Sequence, residues 1–342
     1  MTVLYLTEQG VRVHKDHERL LLRRGGKVIE SVPLRHLEQV VVFGRGVTLT
    51  TATMFALARR GINVVFLTHR GRFVARLTGR EHKHVALRVQ QFERVQTTRF
   101  RLPAARKLLQ AKIFNQRRLL QRHVKGAEWA QHALEAMQSL AQRAQGAADE
   151  ETLRGLEGQS AVLYFGVFRQ LLRPPDSGDW GFRQRAYHPP PDPINTLLSF
   201  AYTLLLNDVV SACEQIGLDP DVGFFHATDY ARPALALDLM EPFRPLIADS
   251  VVLQAVNRPF LTPHDFQRVP TGHPHTPRYA VYLGLQARRK IITLYEQRMA
   301  TQAFCPALRQ RTTYRRILRL QAQQFARFLL GKNSAWKPFS PR

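Results

Sequence analysis

The hydrophobic pattern of this chain changes period once, near residue 85, and that change constrains the fold more than any other feature. Before it, apolar residues come in short runs at 3–7, 11–14, 20–22, 28–29, 40–43 and 64–67, with 72–77 as a last run before Gly79. Glycines and charged turn residues separate these runs, so each reads as a strand. One helical segment interrupts them, 51–60, with Thr50 or Thr51 as its N-cap and Gly61 as its stop. After residue 85 the runs lengthen and read as helices at 85–102, 104–124, 127–144, 151–172, 195–216, 246–256, 278–299 and 314–330. Pro103 can open a helical turn, Pro174 and Pro175 stop one helix, and Gly217 stops another. The expected fold class is therefore α+β. A small β-rich N-terminal domain spans 1–78, a linker spans 79–90, a larger all-α domain spans 91–330, and a frayed tail spans 331–342. A β-rich piece with so little helical cover is expected to pair with a second copy, giving a homodimer.

Charge narrows the partner. Fifty Lys and Arg against 26 Asp and Glu give a net charge of +24, a self-repulsion that a polyanion relieves. The excess is clustered: 16 basic residues and two acids lie between Arg70 and Lys125, and 12 basic residues and one acid between Arg278 and Lys332. Residues 200–250 reverse the sign, with eight acids against Arg232 and Arg244. Carboxylates repel a phosphate backbone unless a cation lies between them, so an acidic island flanked by basic helices suits phosphate chemistry at a metal. No run of 18 uncharged apolar residues occurs and the N-terminus lacks a secretory pattern, so no membrane contact and a cytoplasmic location are expected. Cys213 and Cys305 alone make neither a disulfide framework nor a zinc site by spacing, and two inert thiols are expected.

Several residues offer chemistry. Glu157, in RGLEGQSAVLYFGVF, shares a helical stripe with Ala161, Tyr164 and Phe168, where a carboxylate needs a partner. Arg154 at i−3 is one candidate, a cation another. Tyr164 itself reads as packing. His226 ends the apolar run VGFF, and Asp238 and Glu241 follow, on one face if that segment is helical, although Pro242 and Pro245 bend it. One imidazole with two or three carboxylates suits Mg2+ or Mn2+, yet a core histidine with solvated acids fits the same residues. His264, His273 and His275 read as an exposed loop, His82 and His84 as phosphate contacts, and His188 as loop. There is no P-loop, no GxGxxG after a strand, no GxSxG and no HExxH.

Taken together, LYLTEQGVRVHKDHERLLL, LEQVVVFGRGVTLT, GINVVFLTHRGRFVARL, RGLEGQSAVLYF, PPPDPINTLLSFAYTLL and GFFHATDYARPALALDLMEPFRPLIADSVVLQAVNR resemble the CRISPR-associated adaptation integrase and endonuclease family along nearly the whole chain. That resemblance implies metal ligands at Glu157, His226 and Glu241, with Asp238 as the auxiliary acid. Where many members carry Asp, this chain has Glu241, one methylene longer. It also implies a dimer through the β-rich domain and assembly with the small second CRISPR-associated adaptation protein. The expected activity is metal-dependent joining of the 3′-hydroxyl ends of short double-stranded DNA fragments into the CRISPR repeat, with hydrolysis when water is the nucleophile. Arg244, Arg258 and Lys290 are expected to contact DNA phosphates. The alternative is a non-enzymatic nucleic-acid-binding scaffold, and a metal-dependent ribonuclease is a third reading.

Overall fold

The computed structural model describes residues 2–79, 84–124, 126–174, 180–186, 189–226, 232–271, 279–333 and 335–341. The chain divides into two compact units, Met1–Lys83 and His84–Arg342.

The first unit holds β1 (Thr2–Leu6), β2 (Arg12–Asp16), β3 (Arg19–Arg24), β4 (Lys27–Pro33), β5 (Leu37–Phe43), β6 (Thr48–Leu49), α1 (Thr51–Arg59), β7 (Asn63–Leu67) and β8 (Phe73–Leu77). They form two four-stranded sheets, β1-β5-β7-β8 and β4-β3-β2-β6. The VVVF run of β5 lies parallel to both β1 and β7 and is buried along its length, as a central parallel strand should be. Alternate residues of β2 and β3, among them Val13, Leu20 and Leu22, join Leu37, Val40, Val42, Leu57 and Val64 in one core. Thr50 caps α1 by accepting the Thr53 amide at 3.2 Å, and Gly61 follows the helix at φ +67°. The sheet edges are apolar: Val28 and Ile29 on β4, and Phe73 and Val74 on β8, are exposed.

The second unit is mostly helical: α2 (Val85–Val95), α3 (Thr98–Val124), α4 (Glu128–Gly146), α5 (Glu150–Leu171), α6 (Pro193–Ile216), α7 (Ala234–Met240), α8 (Ser250–Asn257), α9 (Leu285–Ala300) and α10 (Tyr314–Leu329). A 3-10 turn (Glu241–Phe243) and a π turn (Pro245–Asp249) join α7 to α8. Asp149 and Asp192 cap α5 and α6 by accepting the Thr152 and Asn195 amides at 2.7 and 2.8 Å. The helix α6 is long and apolar enough to cross a membrane, but 78% of its apolar window is buried in this fold, so it serves as the central core helix.

The break between the two units falls after Lys83, and α2 begins at Val85. Three expectations change. The first helical break comes at Gln96 and Thr97 rather than at Pro103, because the Thr97 hydroxyl donates to the Arg94 carbonyl and competes with the helix there. The second unit is not purely helical. Residues 279–283, read as the start of a helix, alternate as YAVYL and form β10 (Tyr279–Leu283) against β9 (Phe266–Pro270), while β11 (Gln302–Cys305) pairs with β12 (Gln310–Thr313). The tail does not fray over its described residues. Trp336 and Phe339 are 2% and 3% exposed, Phe339 stacks on Phe243 with ring centres 5.7 Å apart, and Arg118 donates to the Pro341 carbonyl at 2.9 Å. Two aromatic side chains hold a polar segment that composition alone reads as loose. Both cysteines are buried, and neither forms a disulfide.

Candidate metal centre

Four segments of the second unit converge on one cluster. The helix α5 presents Glu157, α3 presents Lys112, the loop after Val222 presents His226, and the turn following α7 presents Glu241. One ligand atom each from Glu157, His226 and Glu241 lies within 4.8 Å of the other two. Glu241 is 1% exposed, whereas the Glu157 and His226 side chains are 24% and 22% exposed, so the cluster has a buried floor and an open side.

The loop carrying His226 is built around Asp238. The Asp238 carboxylate accepts the backbone amides of Phe224, Phe225 and His226 at 2.6, 3.0 and 2.9 Å. It also lies 2.7 Å from His226 Nδ1. With Nδ1–H donating to this acid, Nε2 keeps its lone pair for the cluster, 3.8 Å from Glu241 Oε1. The amides need close approach, and Gly223 provides it: a Cβ there would meet the Ala234 backbone at 2.6 Å and Asp238 Oδ2 at 2.8 Å. Asp238 is thus the residue that orients the imidazole and the loop, and it lies outside the group of three candidate ligands.

Lys112 was not read from the sequence. Its Nζ lies 2.6 Å from Glu157 Oε1 and 2.7 Å from Glu241 Oε2, bridging two of the three candidate ligands. The Arg154 partner considered for Glu157 instead pairs with Glu150. Arg244 Nη2 is 3.2 Å from Glu241 Oε1. Burial pushes the Glu241 carboxyl up, but Arg244, Lys112 and His226 together outweigh it and bring its pKa to about 2. Burial pulls the His226 imidazole down, and the bond to Asp238 with the charges of Asp238, Glu241 and Glu157 raises it above its ordinary value.

The donor set fits a divalent cation. Two carboxylates and an imidazole, without a thiolate, are the ligands that Mg2+ and Mn2+ accept. Neither Glu241 oxygen receives a well-aligned hydrogen bond, although both are buried. The ammonium of Lys112 already stands as a positive charge between Glu157 and Glu241.

The other candidates separate from this cluster. Arg258 is exposed beyond the end of α8, and Lys290 on α9 reaches Asp265 at 3.5 Å. Tyr164 is fully buried, as packing requires, but its hydroxyl also donates to Asp249 at 2.6 Å. His264 falls in a 3-10 turn (Pro263–Asp265) and His84 precedes α2. His82, His188, His273 and His275 lie outside the described residues.

A family profile described as CRISPR associated protein Cas1 matches residues 4–297. The chain belongs to that family. The CRISPR-associated endonuclease Cas1 2 of Rhodospirillum rubrum is 38% identical, the match covering 99% of this chain and 98% of that protein. Among solved structures, a casposase bound to integration product superposes with a TM-score of 0.83 at 20% identity, over 99% of this chain and 95% of the other. A Cas6-RT-Cas1--Cas2 complex gives 0.82 at 24% identity over 99% of this chain, which spans only 36% of that longer chain. At those identities the two structures speak for the family fold, and its extent here is essentially the whole chain.

Proposed function

We propose that this chain is a divalent-metal-dependent DNA endonuclease and integrase of CRISPR adaptation, joining 3′-hydroxyl ends of short DNA fragments to the CRISPR repeat by transesterification. The observation that carries this reading is the convergence of Glu157, His226 and Glu241 within 4.8 Å, from segments separated by up to 84 residues. Family membership supports it, and so does the relative named as an endonuclease. Glu157, His226 and Glu241 would hold Mg2+ or Mn2+, which supplies Lewis acidity at a phosphate oxygen.

The chain's own residues do the rest. Glu241, with a pKa of about 2, is ionised at any working pH and keeps its charge on the floor of the site. Asp238 fixes the His226 ring so that Nε2 faces the two carboxylates. Arg244 holds the Glu241 carboxylate and adds positive charge where a phosphate approaches. The basic residues of α3, α9 and α10 offer a backbone-directed, salt-sensitive surface for double-stranded DNA. A small second adaptation protein is proposed as partner because one structural neighbour is a complex containing Cas2. A homodimer through the first unit is proposed from the exposed apolar edges of β4 and β8.

Strand transfer and cleavage of DNA with Mn2+ test the reading, comparing the wild type with Glu157→Ala and His226→Ala. Each variant is expected to lose about a hundredfold or more in rate while still binding DNA. Equal activity in all three proteins, or activity indifferent to EDTA, overturns it and leaves a nucleic-acid-binding scaffold.

A further inference from the structure

One turn beyond Glu241 the chain departs from α-helical geometry in a way that a metal site does not itself require. The Asp249 amide donates to the Arg244 carbonyl at 3.0 Å, an i→i−5 bond that closes the π turn over Pro245–Asp249. The extra residue in that turn rotates Asp249 by about 100° relative to an uninterrupted helix, and such insertions persist where they aim a side chain at a task. Here they aim Asp249 at two hydroxyls. Tyr164 Oη on α5 donates to Oδ2 at 2.6 Å, and Tyr202 Oη on α6 donates to Oδ1 at 2.7 Å. The carboxylate, 1% exposed, thereby pins the ring of Tyr202. Over that ring lies the guanidinium of Arg244, its Cζ 4.7 Å from the ring centre, while its Nη2 reaches Glu241. The guanidinium of Arg185 lies near the same ring at 5.4 Å, itself held by Asn195 and Ser199.

An arginine side chain has many rotamers, and an ion pair alone leaves most of them open. A flat aromatic face removes that freedom by fixing the plane in which the guanidinium lies. The network also ties α5, which carries Glu157, to the turn that carries Glu241. We propose that Tyr202, keyed by Asp249 and Tyr164, is a positioning residue for strand transfer that fixes Arg244 against Glu241. The inference rests on the metal-centre reading above and adds three residues that this reading does not use.

A double-mutant cycle tests it. The enzyme is assayed as the intact chain with Mn2+ and a DNA substrate, and kcat and KM are separated for Tyr202→Leu, Tyr202→Phe, Arg244→Ala and the Tyr202→Leu/Arg244→Ala pair. Tyr202→Leu is expected to lower kcat by about 30-fold with KM changed by less than about threefold, and Tyr202→Phe, which keeps the ring but loses its anchor on Asp249, to recover part of it. In the Arg244→Ala background, Tyr202→Leu is expected to cost less than about twofold, because its target is already gone. Additive losses, or a Tyr202→Phe variant as slow as Tyr202→Leu, overturn the proposal. Should Tyr202→Leu fail to fold, Tyr202→Met keeps the volume without an aromatic face and takes its place in the cycle. A second readout needs no activity: the Arg244 Nε proton, followed by NMR in metal-free protein, is expected to exchange with solvent about tenfold faster in Tyr202→Leu and by a smaller factor in Tyr202→Phe. Unchanged exchange in Tyr202→Leu rejects the platform. Slow exchange in a wild-type protein that binds no Mn2+ keeps the platform and rejects the metal-centre reading instead.

Discussion

Glu241 and Asp249 are both 1% exposed and lie eight positions apart on one continuous segment, yet their surroundings are opposites. Around Glu241 stand Arg244, Lys112 and His226, and against the cost of burial they bring its pKa to about 2. Around Asp249 stand the hydroxyls of Tyr164 and Tyr202. Burial raises its pKa above the ordinary carboxylate value, and those hydrogen bonds, with Arg244 and Arg185, offset only part of the rise. Burial alone therefore says nothing about what a carboxylate does. A buried acid ringed by cations remains an anion and can serve as a ligand, whereas one ringed by neutral donors is a hub that organises its neighbours.

The largest expected difference between the two is in catalysis. Glu241→Ala should reduce Mn2+-dependent strand transfer by about a thousandfold, and Asp249→Asn by no more than about tenfold, measured under single-turnover conditions. Equal losses would erase the distinction between ligand and hub.

Next in size is the effect of removing a cation from the Glu241 side. Lys112→Met leaves Glu157 and Glu241 facing each other without the ammonium that bridges them at 2.6 and 2.7 Å. Metal-free protein should then melt several degrees lower, while calorimetric titration should show Mn2+ binding tightened by about tenfold. Weaker Mn2+ binding would mean that Lys112 supports the ion rather than competing with it.

The smallest effects, and the sharpest in sign, are in stability against pH for metal-free protein. The folded pKa of Glu241 is depressed, so the stability it contributes is present above its ordinary value of 4.5 and is lost as pH falls toward about 2. The folded pKa of Asp249 is raised, so its contribution is fully present below 3.8 and fades as pH rises through the raised value. Urea unfolding between pH 2 and 5, comparing wild type with Glu241→Gln and with Asp249→Asn, should give differences of opposite slope. Parallel slopes would show that the two carboxylates share one environment.

Much of this was legible in the residues themselves. The period change near residue 85 separates the β-rich unit from the helical one, and the strands and caps of the first unit fall where alternation and turn chemistry put them. Gly217 stops α6 where the sequence puts its end, whereas the helix begins two residues before the expected Asn195, at Pro193. The centre was legible only through the family motifs, because Glu157, His226 and Glu241 each have an ordinary explanation until the fold joins them. Lys112 was hidden for a different reason: it is one of 16 basic residues between Arg70 and Lys125, and only the packing of α3 on α5 singles it out. Asp249 carried a faint signal, an acid within PLIADSVVL, a run otherwise almost wholly apolar. The π turn that aims it depends on tertiary contacts that no local propensity encodes. Composition hides the packing of the tail, because its Ser, Pro and Lys residues outnumber Trp336 and Phe339, although those two rings are the buried ones.

That tail has a mechanical consequence. The Asn115 side-chain amide donates to the Phe339 carbonyl at 2.9 Å and to the Pro242 carbonyl at 2.8 Å, and Pro242 is the residue next to Glu241. One asparagine thus joins residues 335–341 to the backbone beside Glu241, and the Phe339 ring, stacked on Phe243, makes a second link at the same place.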